Sequence, residues 1–287
     1  MSVTIVRGYN VKHGYKEEAT EGTAPNGTSS VPVTYDYIGH VNGLTPTINP
    51  NPVEVHPIGI RYPLTHVKGT REVALSVEYN PISITPLQYA LSNITKTITF
   101  WEKLVDLNSD ILYLGLRCNR LRLRGEVGRP LVATQEFIGM DVTTTAPTYA
   151  NLPDVSVSLP FHFPDQNVTL GGSALSGKVS AFEVDIVNNV EAIYQIGGVV
   201  SVTSVEKLIE VTGNITMTFS STSDLQDVLN LTEKSSLAII IGKEEATSRT
   251  LTIPKMIWTS YPTPVSVGNI LRITIPFRSQ GAMPTIA

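Results

Sequence analysis

The chain has 287 residues, of which 41% are hydrophobic and 16% charged, a balance that supplies a packed core and excludes general disorder. Its formal charge is −4: basic and acidic residues number 13 each in 1–150 and 8 against 12 in 151–287, so the basic footprint of a nucleic-acid reader is missing. No apolar run approaches the roughly 20 residues of a membrane span, and the single cysteine, Cys118, excludes an internal disulfide.

Short stretches of Thr, Ser, Val and Ile, broken by 21 Gly and 19 Pro, predict many short strands separated by turns. The opening Met-Ser-Val-Thr-Ile-Val-Arg lacks the basic-then-apolar pattern of a signal peptide, so synthesis in the cytoplasm is expected. The five N-x-[ST] sequons, at Asn26, Asn93, Asn167, Asn214 and Asn230, are then read as chance in a Thr-rich sequence.

In chain order, 1–36 reads as a polar, Gly-rich N-terminal arm, followed by a first β domain over 37–142. The segment Asn42–Lys68, with five prolines, reads as a long functional loop. A strand follows, in which Val73, Leu75 and Val77 alternate with polar residues. Thr85-Pro86-Leu87-Gln88-Tyr89-Ala90-Leu91 is a short one-sided helix with Thr85 as its N-cap. Another strand lies around Ile98–Trp101. Arg120, Arg122 and Arg124 alternate with Leu121 and Leu123, which aligns three guanidiniums on one sheet face. They are read as an intersubunit ion-pair ladder ahead of a plain solvated face, with phosphate contact behind both. Gly128 is a turn glycine before the strand ending at Phe137.

Residues 143–176, with four prolines and Gly171-Gly172, read as an interdomain crossover into a second β domain over 177–287. There the elements return in the same order. Gly128, Leu131, Thr134 and Phe137 coincide with Gly268, Leu271, Thr274 and Phe277 at an offset of 140. The helix returns as Ser223–Leu229 at an offset of 138, and the strand before it as Ile215, Met217 and Phe219 at 142. The strand after it lies around Leu237–Ile241, and Asn188–Glu210 matches the earlier long loop. The reading is two tandem copies of one β domain, each with one short helix; a single large β-sandwich with look-alike strands is the alternative.

Chemistry finds no anchor. Gly172-Ser-Ala-Leu-Ser-Gly-Lys178-Val179 has P-loop spacing but lacks the final Ser or Thr, and Val179 opens a strand-like alternation, not a helix. His13, His40, His56, His66 and His162 lack metal-site spacing and read as scattered surface residues. There is no G-x-S-x-G elbow and no distinguished carboxylate pair. No catalytic, cofactor-binding or metal residue is assigned, and the chain is not expected to be an enzyme.

Four segments resemble one family. Gly14-Tyr-Lys-Glu-Glu-Ala-Thr-Glu-Gly22-Thr23 is similar to the opening of duplicated tail tube proteins of tailed bacterial and archaeal viruses. Gly115–Gly128 resembles their mid-chain strand and turn, Phe182–Glu191 their strand ending in paired asparagines, and Leu271–Arg278 their final strand. The resemblance implies tandem β-sandwich or barrel-like tail tube domains that join around a pseudo-sixfold ring of three chains. Stacked rings would form the hollow channel for genome delivery in the virion tail. Partners would be further copies and other tail proteins (tape measure, terminator, distal tail or baseplate), with viral DNA passing unbound and no membrane or cofactor involved. Another tandem-β virion or surface protein (terminator, spike, surface layer) is the alternative, and a carbohydrate-binding module lies behind it.

Overall fold

A computed structural model describes residues 10–56, 58–162, 167–174, 179–218, 226–227, 229–241, 249–260, 262, 272–281 and 283–286. The first half forms β1 (Val11–Glu17), β2 (Val33–Thr34), β3 (His40–Asn49), β4 (Val53–Val55), β5 (Thr65–Val67), β6 (Glu72–Asn80), helix α1 (Thr85–Gln88), β7 (Ile98–Leu104), β8 (Ser109–Glu126), β9 (Val132–Gly139) and β10 (Asp141–Thr143). Between the halves lie β11 (Ala150–Asn151), β12 (Asn167–Leu170) and β13 (Ser173–Ala174). The second half forms β14 (Val179–Val187), β15 (Glu191–Ile193), β16 (Thr203–Val205), β17 (Glu210–Thr218), β18 (Lys234–Ile241), β19 (Arg249–Trp258), β20 (Arg272–Ser279) and β21 (Thr285–Ile286). The fold is all-β, as the alternation predicts.

Among the described residues fifteen strands share one sheet, and the two halves pair in the same order. In the first half the neighbours run β1-β7-β8-β9-β6-β3, and in the second β12-β18-β19-β20-β17-β14. β10 sits beside β8 as β21 sits beside β19. The hairpins β4–β5 and β15–β16 occupy the same place in each half, between the two strands that precede the helix. The halves meet where β8 pairs with β14. One face of the sheet is buried along its central strands, from Val73, Leu75 and Val77 to Leu121, Leu123, Val184, Ile186, Ile215 and Ile275, while at the β3 edge Ile48 is exposed.

Register corrects one expected offset. Leu75 of β6 faces Phe137, whereas Gly213 of β17 faces Phe277. With the two phenylalanines matched at 140, Leu75 corresponds to Gly213, so the strands before the helices are offset by 138, as the helices are, and not by 142. Both values are even, so the inward and outward faces read from the alternation are unchanged. A bulge at Asn42 in β3 corresponds at the same offset to one at Ser180 in β14. Asn51 and Asn189, also 138 apart, both adopt positive φ. Gly213 must be glycine: an added Cβ would lie 2.3 Å from the Glu183 carbonyl oxygen and 2.5 Å from the Phe277 ring.

Helix α1 ends at Gln88, short of the expected Leu91; it buries Leu87, and the turn that follows buries Ala90 and Leu91. Its N-cap is Ile84, without a side-chain bond, so Thr85 is helical and does not cap. The helix is pinned from the sheet instead. The Tyr79 hydroxyl donates to Gln135 Oε1 at 2.7 Å, and Gln135 Nε2 donates to the Pro86 carbonyl at 2.9 Å. In the second half Gln226, Asp227 and Leu229 are helical; Ser223, Asp224, Leu225 and Val228, like Gly268 and Leu271, lie outside the described residues.

Four further expectations are corrected. Part of the presumed arm is sheet: β1 pairs with β7 along its whole length, and Tyr15 joins the core. Part of the presumed crossover is also sheet, since β12 pairs with β18. Within the presumed loop Asn42–Lys68, residues up to Asn49 belong to β3; Pro46 is tolerated there because β3 is an edge strand with outward N–H positions free. His13 is half-buried in β1, stacked near Tyr37 and Phe100, and that burial pushes its pKa down.

Candidate assembly surfaces

The seam between β8 and β14 is where the predicted arginine row does its work. Register sets Arg122 opposite Asp185 and Arg124 opposite Glu183. Arg120 makes a two-pronged contact with Asp185, Nε to Oδ1 at 2.8 Å and Nη2 to Oδ2 at 2.5 Å. Arg122 lies 3.3 Å from Glu183 and 3.6 Å from Asp185. Burial alone would raise the Asp185 carboxyl, but hydrogen bonds and charge from Arg120, with Arg122, outweigh it and hold the carboxyl below its ordinary value. The ladder expected between subunits therefore lies within one chain, joining its halves, because β14 brings the matching acids.

The paired asparagines close the end of that seam. Asn188 Nδ2 donates to the Cys118 carbonyl at 3.0 Å and to the Ala90 carbonyl at 3.2 Å. Asn119, at a bulge in β8, accepts from the Val190 N–H at 2.8 Å through its Oδ1. Cys118 beneath it is buried, and burial pushes its thiol up to about 12, the state of an inert packing residue.

A second tie crosses the halves at the β15–β16 hairpin. Arg117 Nη1 donates to Glu206 at 2.9 Å, and its Nη2 lies 3.5 Å from Glu21. Glu21 also accepts from the Thr203 hydroxyl at 2.9 Å and the Ser204 N–H at 3.2 Å. The Tyr194 hydroxyl donates to the Arg71 carbonyl, and the Arg71 N–H to the Val199 carbonyl. The segment Asn188–Glu210, read as the counterpart of the long loop Asn42–Lys68, is thus anchored on the first half of its own chain.

The glutamates of the Gly14–Thr23 segment explain this anchoring, and alternation alone did not single them out. Glu18 is buried and accepts from the Thr97 and Thr99 hydroxyls and from the Gly22 and Gly115 N–H groups, all at 2.7–2.8 Å. Four donors of this kind fix a buried carboxylate and hold the turn that presents Glu21. Arg117 was hidden by its position at the head of the arginine row.

Among the described residues, two surfaces of the first half carry no such ties. There β3 pairs with β6 alone and leaves its other edge open. The β4–β5 hairpin exposes Val53, Ile58, Tyr62, Leu64 and Val67. Apolar residues gathered on one projecting hairpin mark an interaction surface.

A family model described as phage tail tube protein matches residues 8–279. No curated protein matches the chain.

Proposed function

The chain belongs to the phage tail tube protein family, and we propose that three copies close a pseudo-sixfold ring whose stacked repeats form the genome channel. It is a structural component of a viral tail, and catalysis has no part in the proposal. The observation that carries the ring is the topology: two halves with the same strand order lie side by side in one sheet, related by a single step. Repeating that step around an axis generates a closed assembly, and closure removes the open strand edges that otherwise aggregate. In this reading 37–142 and 177–287 are two copies of the tail tube domain, with β1 from 1–36 serving the first and β12 from 143–176 serving the second.

The unburied face of the continuous sheet is the proposed channel wall. It carries Thr212, Asn214, Thr216, Glu78, Glu136 and the arginine–carboxylate ladder. Arg120 and Arg122 spend their charge on carboxylates of the same face, which weakens their grip on phosphates, while Arg272 and Arg278 of β20 stay exposed on it. With its arginine row answered in this way, the wall would let DNA pass. Other tail proteins, namely tape measure, terminator and distal tail or baseplate, would bound the tube, which is assembled after synthesis in the host cytoplasm.

The test is negative-stain imaging of the purified chain. Hollow tubes of stacked rings are expected; monomers or solid filaments at assembly concentrations would sink the proposal.

A further inference from the structure

We infer that the open edge of β3 and the β4–β5 hairpin together form the docking surface for the second half of another copy, through an uncharged seam that cannot be mistaken for the charged seam within the chain. This rests on the ring reading above and adds which surfaces meet and what keeps the order of halves correct.

The two halves present equivalent elements in unequal surroundings. β3 occupies in the first half the place of β14 in the second, with bulges matched at Asn42 and Ser180. The edge of β14 is covered by β8 of the same chain, whereas among the described residues the same edge of β3 has no strand upon it. The hairpins repeat the contrast. β15–β16 is anchored to the first half through Arg117, Glu21 and Arg71, and its Ser201 and Ser204 are buried; all of β4 and β5 is exposed. Two separate elements of the first half are thus left open where their counterparts are filled by the other half. What fills the counterparts is the neighbouring half of this chain, so the occupant that fits is a second copy.

The chemistry of the two seams differs on both sides. At the offset of 138, Glu183 and Asp185 of β14 correspond to Thr45 and Thr47 of β3. At the offset of 140, where Cys118 and Trp258 face Phe137 and Phe277, Arg120 and Arg122 correspond to Ser260 and Pro262. Charges have been removed from both partners together. Were β3 to meet a foreign β8, Arg120 and Arg122 would lose the β14 carboxylates, Arg120 keeping only Glu136 at 3.8 Å. Were β14 to meet the neutral segment, Glu183 and Asp185 would lose their partners. Each mismatch gives up ion pairs that the matched order keeps, so neutral meets neutral and the halves alternate around the ring. The asparagine lock is missing too, since Asn188 corresponds to Pro50. The seam between copies is therefore the weaker one, and assemblies come apart into whole chains.

The test compares assembly of the full chain carrying Thr47→Asp, alone and with Ser260→Arg, by sedimentation and imaging. Thr47 stands where Asp185 stands and Ser260 where Arg120 stands, so the double variant rebuilds the ion pair across copies. The single variant is expected to cut the assembled fraction about tenfold, the double to restore it to within about twofold. Circular dichroism of the single variant is expected to match the parent, because Thr47 is exposed on an edge strand. A loss that Ser260→Arg does not relieve, or no loss at all, overturns the seam while tubes of the parent chain leave the ring intact. As an independent readout, Asn49→Cys with Ser260→Cys, matching the facing pair Val187 and Arg120, is expected to give disulfide-linked species of two and three chains. Assembled rings without those species overturn the docking surface; a parent chain that forms neither rings nor tubes overturns both readings.

Discussion

The two halves share one strand order but hold their helices and edges by different means. In the first half a buried glutamine ties sheet to helix: Gln135 bridges the Tyr79 hydroxyl and the Pro86 carbonyl. Register places Ile275 and Met217 at the corresponding positions, so the second half uses apolar packing where the first uses a polar bridge. Opposite the matched phenylalanines stand Cys118 in one half and Trp258 in the other, both fully buried. The lesson is that pairing geometry is common to the halves while side-chain volume and polarity are not. The duplication therefore persists in topology, bulges and positive-φ asparagines more clearly than in residue identity.

The largest effect should come from that unequal pair. Trp258→Ala is expected to destabilise the unassembled subunit by about 3–5 kcal/mol, and Cys118→Ala by about 1 kcal/mol. Guanidinium unfolding measures both; equal losses would mean that the two cores pack alike. Next comes the polar bridge. Gln135→Ile leaves the Tyr79 hydroxyl and the Pro86 carbonyl without that partner and should cost about 2–3 kcal/mol. Adding Tyr79→Met, which completes the second half's solution, should recover about 1 kcal/mol; no recovery would show that the halves cannot exchange cores.

The seam gives a smaller, pH-dependent effect. Arg120→Ala removes a two-pronged bond from the mostly buried Asp185 and should cost about 1.5 kcal/mol at neutral pH, the low end because Arg120 is partly exposed. A folded carboxyl held below its ordinary value of 3.8 stabilises fully above that value, and the contribution fades as pH falls through the folded pKa. Unfolding titrated downward from pH 6 through the ordinary carboxyl range should therefore narrow the gap between parent and variant; a gap that widens toward acid would contradict the assignment. The smallest effect belongs to Thr85→Ala, expected below about 0.5 kcal/mol because Thr85 caps nothing, against the roughly 1 kcal/mol of a lost cap.

Much of this was legible in the sequence, for physical reasons. Strict alternation in Val73–Val77, Arg120–Arg124 and Val179–Ile186 fixes strands and their buried face, and the Phe137 and Phe277 match fixes the repeat. What sequence alone left hidden was pairing. Asn42–Asn49 reads as loop because of Pro46, which only an edge strand accommodates. The acids that answer Arg120 and Arg122 lie some sixty residues on in β14, so the ladder's partner depended on topology and not on alternation. The same holds for Glu21 and Glu206, which meet at Arg117 from opposite ends of the chain. The sheet character of β1 and β12 escaped the reading because each depends on a distant partner, β7 or β18.

The central claim is that one chain supplies two of six equivalent positions around the channel. Native mass spectrometry of the smallest closed ring tests it most directly. Three chains of 31.2 kDa are expected; a ring of six whole chains, with only one half of each at the channel, would contradict the account.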